Sequence, residues 1–210
     1  MTAQPIGRRE RKKQAVREKI CQETVELIRL NGIEGTTIED ICERADIAKK
    51  TFYNYYPSRH DLLIQVCQSD LLLRTRNNVE GALLHCQGLQ QGLKYIFSEM
   101  QNNMAQADRL EREMVDYLII NISNNRTQSA NQLNFMNECF QALYESNKAD
   151  IKPGLNIGFC SEITVGMINA MIVNWLNDES YDIKTNLDRL LNFMLDSLLE
   201  NQYEECETAV

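Results

Sequence analysis

Lys49, Lys50, Thr51, Tyr53, Asn54 and Tyr55 fall within the seven residues KKTFYNY, and every one of them brings a hydrogen-bond donor. A lysine ammonium donates to guanine O6 and N7, and an asparagine carboxamide pairs bidentately with adenine. Hydroxyls of threonine and tyrosine reach phosphates, which fixes register without reading sequence. The set suits a patterned polyanion. Catalysis finds no comparable group. His60 and His85 are the two histidines, His85 and Cys86 are neighbours that project to different sides of a helix, and carboxylates such as Glu111 and Glu113 read as surface charge. No HExxH, Walker loop, GxSxG or metal-ligand cluster occurs in the chain. Neither an enzyme nor a cofactor is expected.

Three helices must present those donors. A helix over 48–56 pairs Phe52 with Ala48 and Tyr56 at four-residue spacing, so these face inward while Lys49, Lys50, Tyr53 and Asn54 face out. Ahead of it, Thr37 and Asp40 form a T-x-x-D box opening a helix that carries Ile38, Ile41, Cys42 and Ala45 on one face. A longer first helix over 12–31 puts Val16, Ile20, Cys21, Thr24, Leu27 and Ile28 inward and stops at Gly32. Two short helices in a tight turn behind a longer one outline a helix-turn-helix at about 37–56. After Pro57, Ser58 and Asp61 form a second capping box, and Arg59 stands beside the unpaired amides of a helix start suited to a phosphate.

Charge supports this division. The 210 residues carry a net -8, yet residues 1–60 hold 12 Lys+Arg against 9 Asp+Glu, a net +3, so the remainder is -11. A basic head on an acidic body meets a polyanion with one end and is repelled by it elsewhere. Helical periodicity recurs along the chain and no strand pattern does, so the fold class is all-α with about nine helices. The domains expected are a basic arm at 1–13 (Arg8, Arg9, Arg11, Lys12 and Lys13), a DNA-binding domain at 14–74 and a larger helical domain at 75–210. No leader is evident and no uninterrupted apolar run nears the ~18 residues of a membrane span, so a cytoplasmic protein with no membrane partner is expected. Seven cysteines without a CxxC pair read as reduced thiols.

The stretch REKICQETVELIRLNGIEGTTIEDICERADIAKKTFYNYYPSRHDLLIQV, residues 17–66, resembles the tetracycline-repressor (TetR) family of bacterial one-component transcription regulators. The resemblance covers the first third of the chain. It implies a homodimer that sets one recognition helix per subunit into successive major grooves of an operator, and a divergent helical domain that dimerises and binds a small effector. Carried over by position, Thr37, Tyr53, Tyr55 and Arg59 are implied phosphate contacts, and Lys49, Lys50, Thr51 and Asn54 lie nearest base edges. Two positions depart from the pattern. Asp46 stands where such turns usually carry glycine, and Ala48 replaces the usual capping serine.

Beyond residue 57, helices are expected at about 58–83, 88–106, 108–123, 126–148, 155–177 and 183–202. Leu187, Leu190, Leu191, Met194, Leu195 and Leu198 form an apolar stripe, and Gly166 and Ala170 leave smooth surface on the preceding helix. These residues are expected at a four-helix dimer interface rather than in an intramolecular core. Phe97, Met100, Tyr117, Phe140, Met171 and Trp175 are expected to line a pocket for a small hydrophobic or aromatic effector. Two other readings stand beside the regulator. One is a helical protein-interaction adaptor that never touches DNA, and the other is a thiol-sensing regulator on the same fold.

Overall fold

The computed structural model of the chain describes residues 7–122 and 126–200. Among these residues there are nine α-helices: α1 (Arg8–Gly35), α2 (Ile38–Ala45), α3 (Lys49–Tyr53), α4 (Arg59–His85), α5 (Gly88–Gln106), α6 (Arg109–Ile122), α7 (Arg126–Ser146), α8 (Ile157–Asn177) and α9 (Ile183–Leu198). They divide into two compact units. One holds α1–α3, the first turns of α4, and α6; the other holds the rest of α4 with α5, α7, α8 and α9.

In the first unit, α1 starts four residues before the expected position and takes the basic residues 8–13 into its first turns. Its regular winding ends at Gly32, whose φ of 73° and ψ of 170° lie where a side chain is disfavoured. One further turn, 33–35, follows. Helix α2 closes with the left-handed residue that its sequence demands of an aspartate. Asp46 has φ 55° and ψ 52°, its amide donates to Glu43 O at 3.2 Å, and the Ile47 amide donates to Cys42 O at 3.0 Å. Those two bonds are a Schellman closure, and Asp46 is the sole non-glycine residue with positive φ among those described. Helix α3 is shorter than expected, with five residues in place of nine. The chain stays wound past it, since the Tyr55 and Tyr56 amides both donate to Phe52 O, at 2.9 and 3.0 Å, before Pro57 releases it.

The second unit is organised around α8. Antiparallel α7 packs on it through a buried bond between the Tyr144 hydroxyl and Thr164 Oγ1 at 2.6 Å. Helix α5 meets α9 where Gln101 Nε2 donates to Asp188 Oδ1 at 2.7 Å. By length and mean hydropathy α8 passes for a membrane span, without being the uninterrupted apolar run that the sequence lacks. Here it buries one face, with Ile157, Cys160, Val165, Ile168, Ile172 and Trp175, and leaves the other exposed. Helix α9 ends at Leu198, short of the expected 202. The reason is tertiary: Leu199 bridges to Ile151, and the Lys152 amide donates to Leu198 O at 2.9 Å.

One expectation is corrected. The α9 stripe is mainly core of its own protomer: Leu187, Leu190, Met194 and Leu198 are buried, and Leu191 and Leu195 half-buried, because α5 and α8 already cover that face. What α8 leaves exposed is Phe159, Ile163, Gly166, Ala170 and Val173. Tyr117, in turn, packs against the core of the first unit. Phe97, Phe140 and Trp175 are buried in the second unit, and Met100 and Met171 are half-buried there.

Replacing Asp46 tests the turn before α3. A left-handed residue with a Cβ costs roughly 1–2 kcal/mol, less for Asp than for most residues. Asp46→Gly should leave thermal stability unchanged or raise it slightly, whereas Asp46→Val should lower it by about 1–2 kcal/mol in denaturant titration.

Candidate nucleic-acid interface

The outward face of α3 is fixed from behind. Phe52 is 0% exposed and sits in a core of Ile20, Leu27, Ile28, Ile41, Ala45 and Leu62 among others. Its ring meets Tyr53 edge-on at 5.4 Å and lies 5.9 Å from Tyr56. Tyr56 is buried as well. Its hydroxyl lies 3.1 Å from Cys21 Sγ and accepts from Arg17 Nε at 3.3 Å, with the Arg17 guanidinium 5.4 Å above the ring. Burial, followed by the Cys21 contact, pushes the Tyr56 phenol up to about 12, so it remains neutral at physiological pH. Arg17 is held in turn by Gln65, to which Nη2 donates at 2.6 Å.

With Phe52 and Tyr56 inward, Lys49, Lys50, Tyr53 and Asn54 are exposed, Tyr53 at 53%. Thr51 and Tyr55 are half-buried beside them. Ala48 supplies no side-chain cap to α3. Thr37 is exposed at the start of α2. Its Oγ1 accepts from the Asp40 amide at 3.2 Å and donates to the Asp40 carboxylate at 2.6 Å. The second box forms likewise, with the Asp61 amide donating to Ser58 Oγ at 3.1 Å and Ser58 Oγ donating to Asp61 at 2.6 Å.

Arg59 has more partners within the protein than its place at a helix start suggests. Its Nε donates to Thr36 O and its Nη2 to Ile33 O, so the guanidinium clasps the carbonyls that end α1. The next residue reaches α6: His60 Nδ1 and the Tyr117 hydroxyl are 2.8 Å apart, and the rings meet at 5.8 Å. Arg59 and His60 therefore stitch α4 to two other helices of the same unit.

One member of this surface was not found from the sequence. Glu39, in the first turn of α2, accepts a hydrogen bond from the Lys49 ammonium, and both side chains are more than half exposed. The bond from Lys49 holds the Glu39 carboxyl below its usual range, and the same bond raises the Lys49 ammonium. Ten residues separate the two in sequence, across a turn whose geometry only the fold supplies. Lys49 also stands near Cys42, where its charge favours the thiolate, but burial outweighs it and the thiol is raised. Cys67 is pushed up to about 12, by burial first and then by Asp70, and burial raises Cys139 and Cys160 as well. Burial thus disfavours the thiolate at these three cysteines and at Cys42, the opposite of the lowered pKa that activates a sensor thiol. Cys206 lies outside the described residues.

Comparison with known proteins adds four findings. The family described as "Bacterial regulatory proteins, tetR family" matches residues 20–66. An uncharacterised HTH-type transcriptional regulator of Bacillus subtilis, YvdT, is 35% identical over 66 residues, 31% of this chain; the match spans about a third, 34%, of that relative's length. The fatty acid metabolism regulator protein of B. subtilis is 21% identical over 188 residues, 85% of this chain and 93% of that one. Among solved structures, the Thermus thermophilus FadR repressor in complex with lauroyl-CoA superposes with a TM-score of 0.72 at 18% identity, over 90% of this chain and 97% of that one. That likeness establishes a shared fold.

The burial pattern separates support from contact. Phe52→Ala should cost about 3–5 kcal/mol of stability by opening a cavity at the centre of the unit. Tyr53→Ala should stay within about 0.5 kcal/mol of the parent, as exposed positions do. Thermal melts followed by circular dichroism distinguish the two outcomes.

Proposed function

Because residues 20–66 match the tetR family of bacterial regulatory proteins, we propose that the chain is a transcription regulator, a repressor, which binds a near-palindromic operator as a homodimer and is released by a small-molecule effector. One observation carries the reading: Lys49, Lys50, Tyr53 and Asn54 share the solvent side of a helix pinned by Phe52. On this reading Lys49, Lys50, Thr51 and Asn54 read base edges in the major groove. Thr37, Tyr53 and Tyr55 hold phosphates, and Arg59 adds its charge at the start of α4 while clasping α1. Residues 8–13, in the first turns of α1, add five cations that strengthen binding at low salt.

The second copy covers the outer face of α8. Phe159, Ile163, Gly166, Ala170 and Val173 recur at helical spacing along it and are exposed, as is Phe193 on α9. An apolar stripe of this length favours a protein partner, and two identical stripes satisfy one another about a two-fold axis. Half-sites then fall about 34–36 Å apart, or a multiple of that. The effector belongs in the second unit, among Phe97, Met100, Phe140, Met171 and Trp175. These side chains are soft and apolar, and the Thermus thermophilus structure of the same fold holds lauroyl-CoA. Both point to a long-chain acyl compound. It releases DNA only by binding better to the conformation that fits the operator worse.

Selection of bound sequences from a randomised duplex pool should recover a palindrome, and Lys49→Ala should change the base preference at one position in each half-site. Lauroyl-CoA should shift the emission of Trp175, the single tryptophan, and release the selected duplex. Recovery of no sequence would leave the adaptor reading in its place. Separately, Ile163→Asp should convert the dimer to a monomer in light scattering and reduce operator affinity, with the melting transition of the first unit retained.

A further inference from the structure

We infer that Glu39 is a specificity-determining residue for DNA: paired with Lys49 it reads a guanine–cytosine base pair and makes the same lysine a poor phosphate ligand. This rests on the DNA-binding reading above. The geometry begins with the ion pair between α2 and α3, in which both heads are exposed. Wherever α3 carries the Lys49 ammonium, the Glu39 carboxylate travels with it. A carboxylate on a surface that meets a polyanion opposes binding, so its presence there has to be explained by what the pair recognises.

The chemistry of the two possible targets differs. An ammonium has three donors, and Lys49 spends one on Glu39, leaving donors for guanine O6 and N7. A carboxylate is acceptor-only, and the Watson–Crick partner of that guanine offers cytosine N4–H as a donor in the same groove. Acceptors of guanine beside the donor of cytosine thus match the donor and acceptor of the Lys49–Glu39 pair, which remains intact as it binds. A phosphate offers acceptors alone. To reach one, Lys49 must either leave Glu39 or bring a second anion against the first. Random DNA, held mainly through phosphates, therefore pays the full repulsion, and a site with the matching base pair does not. Lys50, which forms no ion pair with an acidic residue of α2 among the described residues, carries no such restriction.

The test compares the full-length protein with Glu39→Gln on the duplex enriched by the wild-type chain and on a scrambled duplex of equal composition, across a salt series. The amide should raise affinity for scrambled DNA about 3- to 10-fold, with a salt slope steeper by about 0.9, as one lysine becomes available to phosphate. Affinity for the enriched duplex should not rise, so the ratio of specific to random binding falls, and selection with the variant should lose the preference for one guanine–cytosine pair per half-site. In a Lys49→Met background the same Glu39→Gln change should have no effect on scrambled DNA. Equal factors on both duplexes, or an equal rise in both backgrounds, would show a carboxylate acting only as bulk negative charge and would overturn the inference. A wild-type chain that enriches no sequence would overturn the regulator reading itself.

Discussion

A five-residue helix has no stability of its own in water. The first turn fixes several residues for a single hydrogen bond, and isolated helices much shorter than about 12 residues are marginal even with ideal composition. Helix α3 has five residues, begins at an alanine that caps nothing, and carries two lysines in its first turn, where the helix dipole disfavours cations. Its conformation is imposed by tertiary contacts. Phe52, wholly buried, is the pin, and Tyr56 anchors the continuation through Cys21 and Arg17 of α1. The reactive side chains of the surface are all residues that remain once these two have been taken inward.

The same dependence explains the density of side-chain clasps around α3. Arg59 ties the start of α4 to the closing carbonyls of α1, and His60 ties it to Tyr117 of α6. Arg44 joins α2 to Glu23 of α1 at 2.9 Å. Exposed pairs such as Arg44–Glu23 contribute little individually. The half-buried clasp of Arg59 is a different matter, because the terminal carbonyls of a helix have no partner within it and a charged donor satisfies two of them at once. Together with the Schellman turn at Asp46, these bonds hold α2, α3 and the start of α4 at fixed spacing, so the donors of α3 and the amides at the start of α4 share one rigid frame.

Much of this frame was legible because it is local. The capping boxes at Thr37 and Ser58 follow from residues three apart and the alternation of Phe52 and Tyr56 against Tyr53 from helical spacing, whereas the left-handed Asp46 was suggested by the family resemblance, whose turns usually carry glycine there. What stayed hidden depends on contacts between distant segments. Arg59 finds carbonyls 23 and 26 residues away, and Tyr117 finds His60 at a separation of 57, so neither pairing leaves a spacing to read. The α9 stripe failed for another reason. An apolar face announces that it will be covered and not by what; α5 and α8 of the same chain cover Leu187 and Met194, which left the outer side of α8, masked by its general apolarity, as the unpartnered face.

This arrangement also limits how a regulator of this kind can be switched. Distorting α3 would mean withdrawing Phe52 from its core, at a cost comparable to the whole stability of a small unit. An effector that shifts an equilibrium by the usual 1–3 kcal/mol of coupling free energy has too little to do that. Changing the distance between two intact recognition surfaces needs far less, because a two-fold pair of half-sites at fixed separation penalises any change in the spacing of the surfaces that meet them. On the regulatory reading, then, the rigidity of the DNA-binding unit is what makes weak effector coupling sufficient: a unit that cannot yield internally converts a small displacement at its boundary into a mismatch over every contact at once.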